Sequence, residues 1–496
     1  VCMADAYSRV TGDVGVASVH QGPGLTNAMT GLAEAAKART PLLLLAADSS
    51  AAAVRSNFRI DQHGLVEAVG AVPDRIHTPG SALDDLTRAW RCATTERRAV
   101  VLNLPLDVQA ADAPDARVAE QPVLHAPAPA PAAVQRVADL VQEARSPAII
   151  AGRGAVLANA RGALEGLGER IGAVLATSAN GNGLFAGSAW SVGISGGFAS
   201  PTAARLLADS DLVLAFGASL NMWTSRHGSL IGEDTRVVQV DVDREVIGAH
   251  RRVDAGIVAD AAAAAAALED ELGRRGHRAE GIRSLEAADQ ISAGAWRNEP
   301  YADASDGEHI DPRTLTIALD EMLPGDRIVV VDSGHFMGWP PMYLSVPDPA
   351  GFVFSQAYQS IGLGLGSAIG AAVARPDRLT VACLGDGGAL MAAGEFETLV
   401  RLEIPMLVVV FNDAAYGAEV HHFGPHGHPL DTVRFPDTDL AGMARGLGGR
   451  GVVVRSVEDL GALKEWLDSR DGPLVLDARV TPDVVGEWLE EAFRAH

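Results

Sequence analysis

At 496 residues, 48% apolar and 21% charged, the chain is too long for one hydrophobic core, and about three domains of ordinary globular composition are expected. A net charge of −23 argues against nucleic acid and an anionic membrane surface as partners, and no apolar run is long enough to span a bilayer. Cys2, Cys92 and Cys383 are widely spaced and mostly within apolar runs, which fits reduced core thiols; with no signal-peptide pattern, a cytoplasmic location is expected.

In chain order, periodicity predicts a helix over residues 1–10, a strand over 15–20, a helix over 24–38 and a strand over 41–47. Glu34, beside Ala35, Ala36 and Lys37 on the second helix, is expected at the solvated surface. The Pro/Ala run at 126–131 reads as a stiff linker. Helices over 132–144, 160–171 and 200–208 then alternate with strands over 147–151, 173–177, 212–216 and 236–242, and an Ala-rich helix follows over 261–272. Residues 274–312 are charged and weakly periodic, and read as a long connection. The last segment predicts a helix over 312–322, a strand over 327–332, a helix closing at Ala374, a strand over 379–384, a helix over 389–403 and a strand over 406–411. The alternation predicts an α/β protein of three doubly wound parallel-sheet domains, over 1–125, 132–273 and 309–496. Val1 opens inside a helix, so the first domain is expected to lack its beginning.

Two motifs carry chemistry. Cys383-Leu384-Gly385-Asp386-Gly387-Gly388 and Phe411-Asn412-Asp413-Ala414-Ala415-Tyr416-Gly417 each close a predicted strand. Asp386 and Asp413 therefore come at the carboxyl ends of two parallel strands, where open α/β sheets place their ligands. Gly385, Gly387 and Gly388 leave backbone N–H groups for phosphate oxygens. A hard cation between carboxylates, a backbone carbonyl and phosphate is the usual magnesium arrangement, so the pair reads as a magnesium–diphosphate cradle. A lone Gly-Asp-Gly would fit an ordinary tight turn, but the second acidic loop and the strand-helix-strand context favour the cradle. The run His421-His422-Phe423-Gly424-Pro425-His426-Gly427-His428 is too irregular for a zinc site and reads as a mobile active-site loop, with His421 or His422 able to carry protons near neutrality.

The cradle resembles the motif of thiamine diphosphate-dependent enzymes, G-D-G followed by a closing Asn pair, here Asn412-Asp413. Over its length the chain is similar to the acetolactate synthase and benzoylformate decarboxylase-like branch of that family. The resemblance implies thiamine diphosphate and Mg²⁺ as cofactors, with Asp386, Asp413 and the Ala415 carbonyl on the metal and Tyr416 and Gly417 completing the loop. It implies pyrimidine-binding, central and diphosphate-binding domains in that order. Ser333, Gly334 and His335 fall on the loop around the diphosphate, Gln359 offers its backbone to the aminopyrimidine, and Ile361 stands between the two cofactor rings. In the first domain, His20-Gln21-Gly22-Pro23-Gly24-Leu25-Thr26-Asn27 looks like T-S-G-P-G-x-T-N, which implies His20, Pro23 and Asn27 in the pyrimidine pocket. His20, in place of the usual Thr, joins His421 and His422 as a candidate catalytic group. The family's activating glutamate would fall before Val1, so the chain is expected to be part of a longer, competent enzyme; the alternative is a protein that binds the cofactor without turning it over. The central domain, with Gly152-Arg153-Gly154 after a strand, is expected to be structural only. The implied activity is decarboxylation or carboligation of a small-molecule 2-oxo acid in a homodimer or homotetramer, with residues 483–496, Trp488 among them, contributing to the substrate pocket.

Overall fold

The computed structural model describes residues 1–112, 115, 117, 118 and 124–494, so Ala495 and His496, at the end of the expected pocket segment, lie outside the described residues. Three all-parallel sheets follow one another along the chain. The first runs β1 (Gly15–Val19), β2 (Leu42–Asp48), β3 (Val72–Arg75) and β4 (Ala99–Pro105), in the spatial order β1-β2-β4-β3. Two of its helices matter below, α1 (Cys2–Thr11) and α2 (Met29–Lys37). The expected helix over 24–38 is broken at Ala28 into a short turn, Pro23–Asn27, and α2.

The second sheet comprises β5 (Pro147–Ala151), β6 (Val174–Thr177), β7 (Ser191–Ile194), β8 (Leu212–Phe216), β9 (Arg236–Asp241) and β10 (Ala255–Val258), ordered β10-β9-β8-β5-β6-β7. Gly152 and Gly154 serve packing, since a Cβ on either would lie 2.2 or 2.6 Å from the backbone of Gly217. Residues 274–312 are not a plain connection. They contain a helix, Leu285–Ala293, that buries Ala287 and Ile291. Two apolar positions four apart make too narrow a stripe to show through so charged a segment.

The third sheet contains β11 (Arg327–Val331), β12 (Phe352–Phe354), β13 (Leu379–Gly385), β14 (Leu407–Asn412), β15 (Arg450–Val454) and β16 (Leu474–Arg479), ordered β12-β11-β13-β14-β16-β15. Its inner strands are buried on both faces. Val329, Val331, Val381, Leu407 and Val409 join one core cluster, and Ile328, Val330, Ala382, Val408 and Val410 the other. That is why they read as unbroken apolar runs rather than alternations. Around this sheet lie α3 (Gly364–Ala374), α4 (Asp386–Met391), α5 (Ala393–Arg401), α6 (Gly417–Phe423) and α7 (Trp488–Phe493). The expected helix over 389–403 instead begins at Asp386 and breaks at Ala392. Low glycine propensity hid the first turn, where glycines are required by close packing. Likewise the start of the histidine-rich run is helical rather than loop: His421 and His422 lie in the last turn of α6, and a short 3-10 turn, Gly424–His426, follows. No helix among the described residues is long and apolar enough to cross a membrane.

The first and third domains share a core. Ala6 and Val10 of α1 pack with Leu365, Ala368, Ile369 and Ala372 of α3. Gly370 permits the contact, because a Cβ there would lie 2.1 Å from the Met3 carbonyl oxygen.

Candidate functional site

β13 and β14 pair in parallel, with Gly385 opposite Phe411, so their carboxyl ends deliver the two motif loops side by side. Above them lies a cavity of about 270 Å³. Its lining includes Ser333, Gly334, His335, Gln359, Ile361, Gly385, Asp386, Gly387, Gly388, Asp413, Ala415, Tyr416 and Gly417, every residue assigned to the third-domain cradle by sequence.

The glycines are needed by the space they leave. A Cβ on Gly387 would meet the Tyr416 ring at 2.4 Å, one on Gly388 the Asp332 carboxylate at 2.6 Å, and one on Gly417 the Asp413 carboxylate at 2.2 Å. Asp386 is 4% exposed; its Oδ1 accepts the Gly387 N–H at 2.7 Å and its Oδ2 the Ala415 N–H at 3.1 Å, tying the two loops together. Ala414, within the second loop, sits at φ 54°, a left-handed conformation that side chains disfavour and that surrounding structure must impose. Burial raises the pKa of Asp386, and burial together with the adjacent Asp386 charge raises that of Asp413. A cation favours the ionised form of two such neighbouring carboxylates facing one cavity. Among the described residues no three His, Cys, Asp or Glu side chains converge as a metal cage. Two carboxylates with a backbone carbonyl fit an ion that completes its shell with phosphate oxygens and water, as Mg²⁺ does. Gln356 adds a donor: its Oε1 accepts the Ser333 hydroxyl at 3.1 Å, while its Nε2 is buried without a partner in the cavity wall. An unmatched amide N–H there suits an anionic oxygen.

His335 Nε2 accepts the Gly486 N–H at 3.1 Å, so the neutral ring carries its proton on Nδ1, which lies 4.0 Å from Asp413 Oδ2. Burial, and then neighbouring His421, push its pKa down to about 3. His421 packs its ring 4.5 Å from that of His335 and does not line the cavity; burial lowers its pKa too. His422 stacks on Phe493 at 4.0 Å, also off the cavity. His20, Pro23 and Asn27 lie in the first domain, outside the lining; the His20 ring sits edge-on to Phe58 at 5.1 Å.

Part of the apolar wall carries no sequence signal: Trp223 comes from the central domain, Trp339 from the segment after β11 and Val480 from just beyond β16, whereas Val484, Leu489 and Phe493 come from the C-terminal segment expected at the pocket. No motif marks Trp223, which reaches the site only through domain packing. The expected Trp488 is buried beneath the wall, donating Nε1–H to the His335 carbonyl at 3.2 Å.

Glu34 requires a correction. It is 2% exposed rather than solvated: Oε1 accepts from Arg9 Nη2 at 2.8 Å and from the Ala357 N–H at 3.1 Å, and Oε2 from the Tyr358 N–H at 2.7 Å. Its helix looks surface-like in isolation because the buried partners come from α1 and the third domain.

Family models described as thiamine pyrophosphate enzyme N-terminal TPP binding domain, central domain and C-terminal TPP binding domain match residues 1–70, 134–268 and 332–478. A sulfoacetaldehyde acetyltransferase of Castellaniella defragrans is 29% identical over 494 residues, covering 94% of this chain and 82% of that protein. Another from Rhodobacter capsulatus is 28% identical, covering 99% and 87%. The acetolactate synthase large subunit of Parasynechococcus marenigrum is 29% identical, covering 83% and 67%.

Proposed function

The chain belongs to the thiamine pyrophosphate enzyme family, and from that premise we propose that it uses thiamine diphosphate with Mg²⁺ to decarboxylate a small 2-oxo acid or to transfer the resulting acyl unit to a second carbonyl compound. The observation that carries this reading is the pair of carboxylates, buried Asp386 and Asp413 with its side chain 12% exposed, lining one cavity with the glycine cradle. Asp386, Asp413 and the Ala415 carbonyl would hold Mg²⁺; Gln356 Nε2 and the loop at Ser333–His335 would hold phosphate oxygens; Ile361 and the Gln359 backbone would receive the rings. When bound, thiamine diphosphate supplies the carbon nucleophile and the electron sink that 2-oxo acid decarboxylation needs.

The protein's part is binding, orientation and exclusion of water. Gln359, at φ 58°, turns its backbone sharply beside Ile361 in the cavity wall. His335 is held neutral and offers an N–H rather than a charge. Trp223, Trp339, Val484, Leu489 and Phe493 form an apolar wall that suits an aliphatic or aromatic acyl group. A homodimer or homotetramer, in which a second copy brings His20, Pro23 and Asn27 to the cofactor, completes the proposal, and the enzyme is placed in the cytoplasm. The test measures CO₂ release by the full-length protein from aliphatic and aromatic 2-oxo acids at saturating thiamine diphosphate and Mg²⁺, with and without an aldehyde acceptor. Turnover of one member of the panel is expected; none with any would overturn the reading.

A further inference from the structure

The segment between β12 and α3 carries the Gln359 backbone and Ile361, and it is held at both ends by buried carboxylates. At its far end, Asp332 accepts the Gly362 N–H at 2.9 Å and the Leu363 N–H at 3.2 Å. At its near end, Glu34 accepts the Ala357 and Tyr358 N–H groups. Between these anchors Gln359 adopts its left-handed φ of 58°. Asp332 belongs to the same domain as the segment, but Glu34 comes from α2 of the first. Glu34 is itself fixed by Arg9, which lies 2.8 Å from Asp5 and donates to the Phe354 carbonyl at 2.9 Å, at the end of β12.

We propose that Glu34 is a positioning residue, an interdomain carboxylate that sets the 356–363 segment in the shape presenting Gln359 and Ile361 to the cofactor rings; this rests on the cofactor reading above. It does not touch the cofactor: both its oxygens are engaged, and it is absent from the cavity lining. Two adjacent backbone N–H groups without an acceptor cost more than the bonds themselves, and a backbone held in the left-handed region relaxes once its neighbours are released. The diphosphate cradle at 385–388 and 413–417 shares no hydrogen bond with Glu34, so removing Glu34 should affect the rings and spare the diphosphate.

Glu34→Gln keeps the size but places a donor against donors. Calorimetry on wild type and variant would compare two ligands, thiamine diphosphate and inorganic pyrophosphate, each with Mg²⁺. The expected result is a loss of about tenfold or more for thiamine diphosphate, with pyrophosphate within about twofold. Equal losses for both ligands, or none for thiamine diphosphate, would overturn the proposal. Should the variant not fold, amide exchange on the wild-type protein decides: slow exchange at Ala357 and Tyr358 is expected, and free-loop rates would overturn it. A wild type that binds pyrophosphate but not thiamine diphosphate would instead defeat the cofactor reading on which the proposal rests.

Discussion

Asp413 occupies the position where the family pattern has Asn, and so sets a second negative charge beside Asp386. In the absence of metal that second acidic group is a burden to the fold; under the proposed function it would be a ligand of Mg²⁺. Asp413→Asn should therefore stabilise the metal-free protein by about 1 kcal/mol in denaturant unfolding while keeping cofactor affinity within about tenfold. Asp386→Asn should do worse, losing about a hundredfold or more in Mg²⁺-dependent affinity by calorimetry, since even outer partners of a metal site are worth 10–100-fold. Gly417→Ala drives a Cβ to 2.2 Å from the Asp413 carboxylate and should abolish cofactor binding with the circular dichroism spectrum intact. A Gly417→Ala protein that binds normally would show that the carboxylate is free to move.

At the scale of elements, the α1–α3 contact depends on one missing side chain. Gly370→Ala places a Cβ 2.1 Å from the Met3 carbonyl and should cost about 1–3 kcal/mol of unfolding free energy through overpacking. Gly366→Ala, one turn earlier, finds only Cys2 Cβ at 3.4 Å and should be nearly neutral or mildly stabilising, helix propensity favouring Ala. Equal costs at the two positions would mean that the helices are not packed as described. Close packing also explains why the helix starting at Asp386 was hidden: its first turn, Asp386-Gly387-Gly388, has poor propensity and is imposed by neighbours.

For the whole molecule, the shared core of α1 with α3 and the Glu34–Arg9 junction join the first and third domains, so the cofactor should stabilise more than the domain that holds its diphosphate. At a hundred times the dissociation constant, mass action stabilises the ligand-binding unit by about 2.7 kcal/mol. Thermal scans with thiamine diphosphate and Mg²⁺ should show that rise, and a chelator should remove it. A rise unaffected by chelator would exclude the role assigned to Asp386 and Asp413.

The amino-acid sequence by itself determined what depends on neighbours along the chain: the buried parallel strands, from their continuous apolar runs, and the two strand-end loops that carry glycines and carboxylates in fixed order and line one cavity. Tertiary structure alone decided what depends on contacts distant in sequence. It took Glu34 off the surface, made a packed helix of the charged segment after Arg274, set His421 and His422 behind the wall, and brought Trp223 from another domain into it. The physical reason is that burial and hydrogen-bond partnership belong to pairs of residues, whereas periodicity and propensity report one segment at a time.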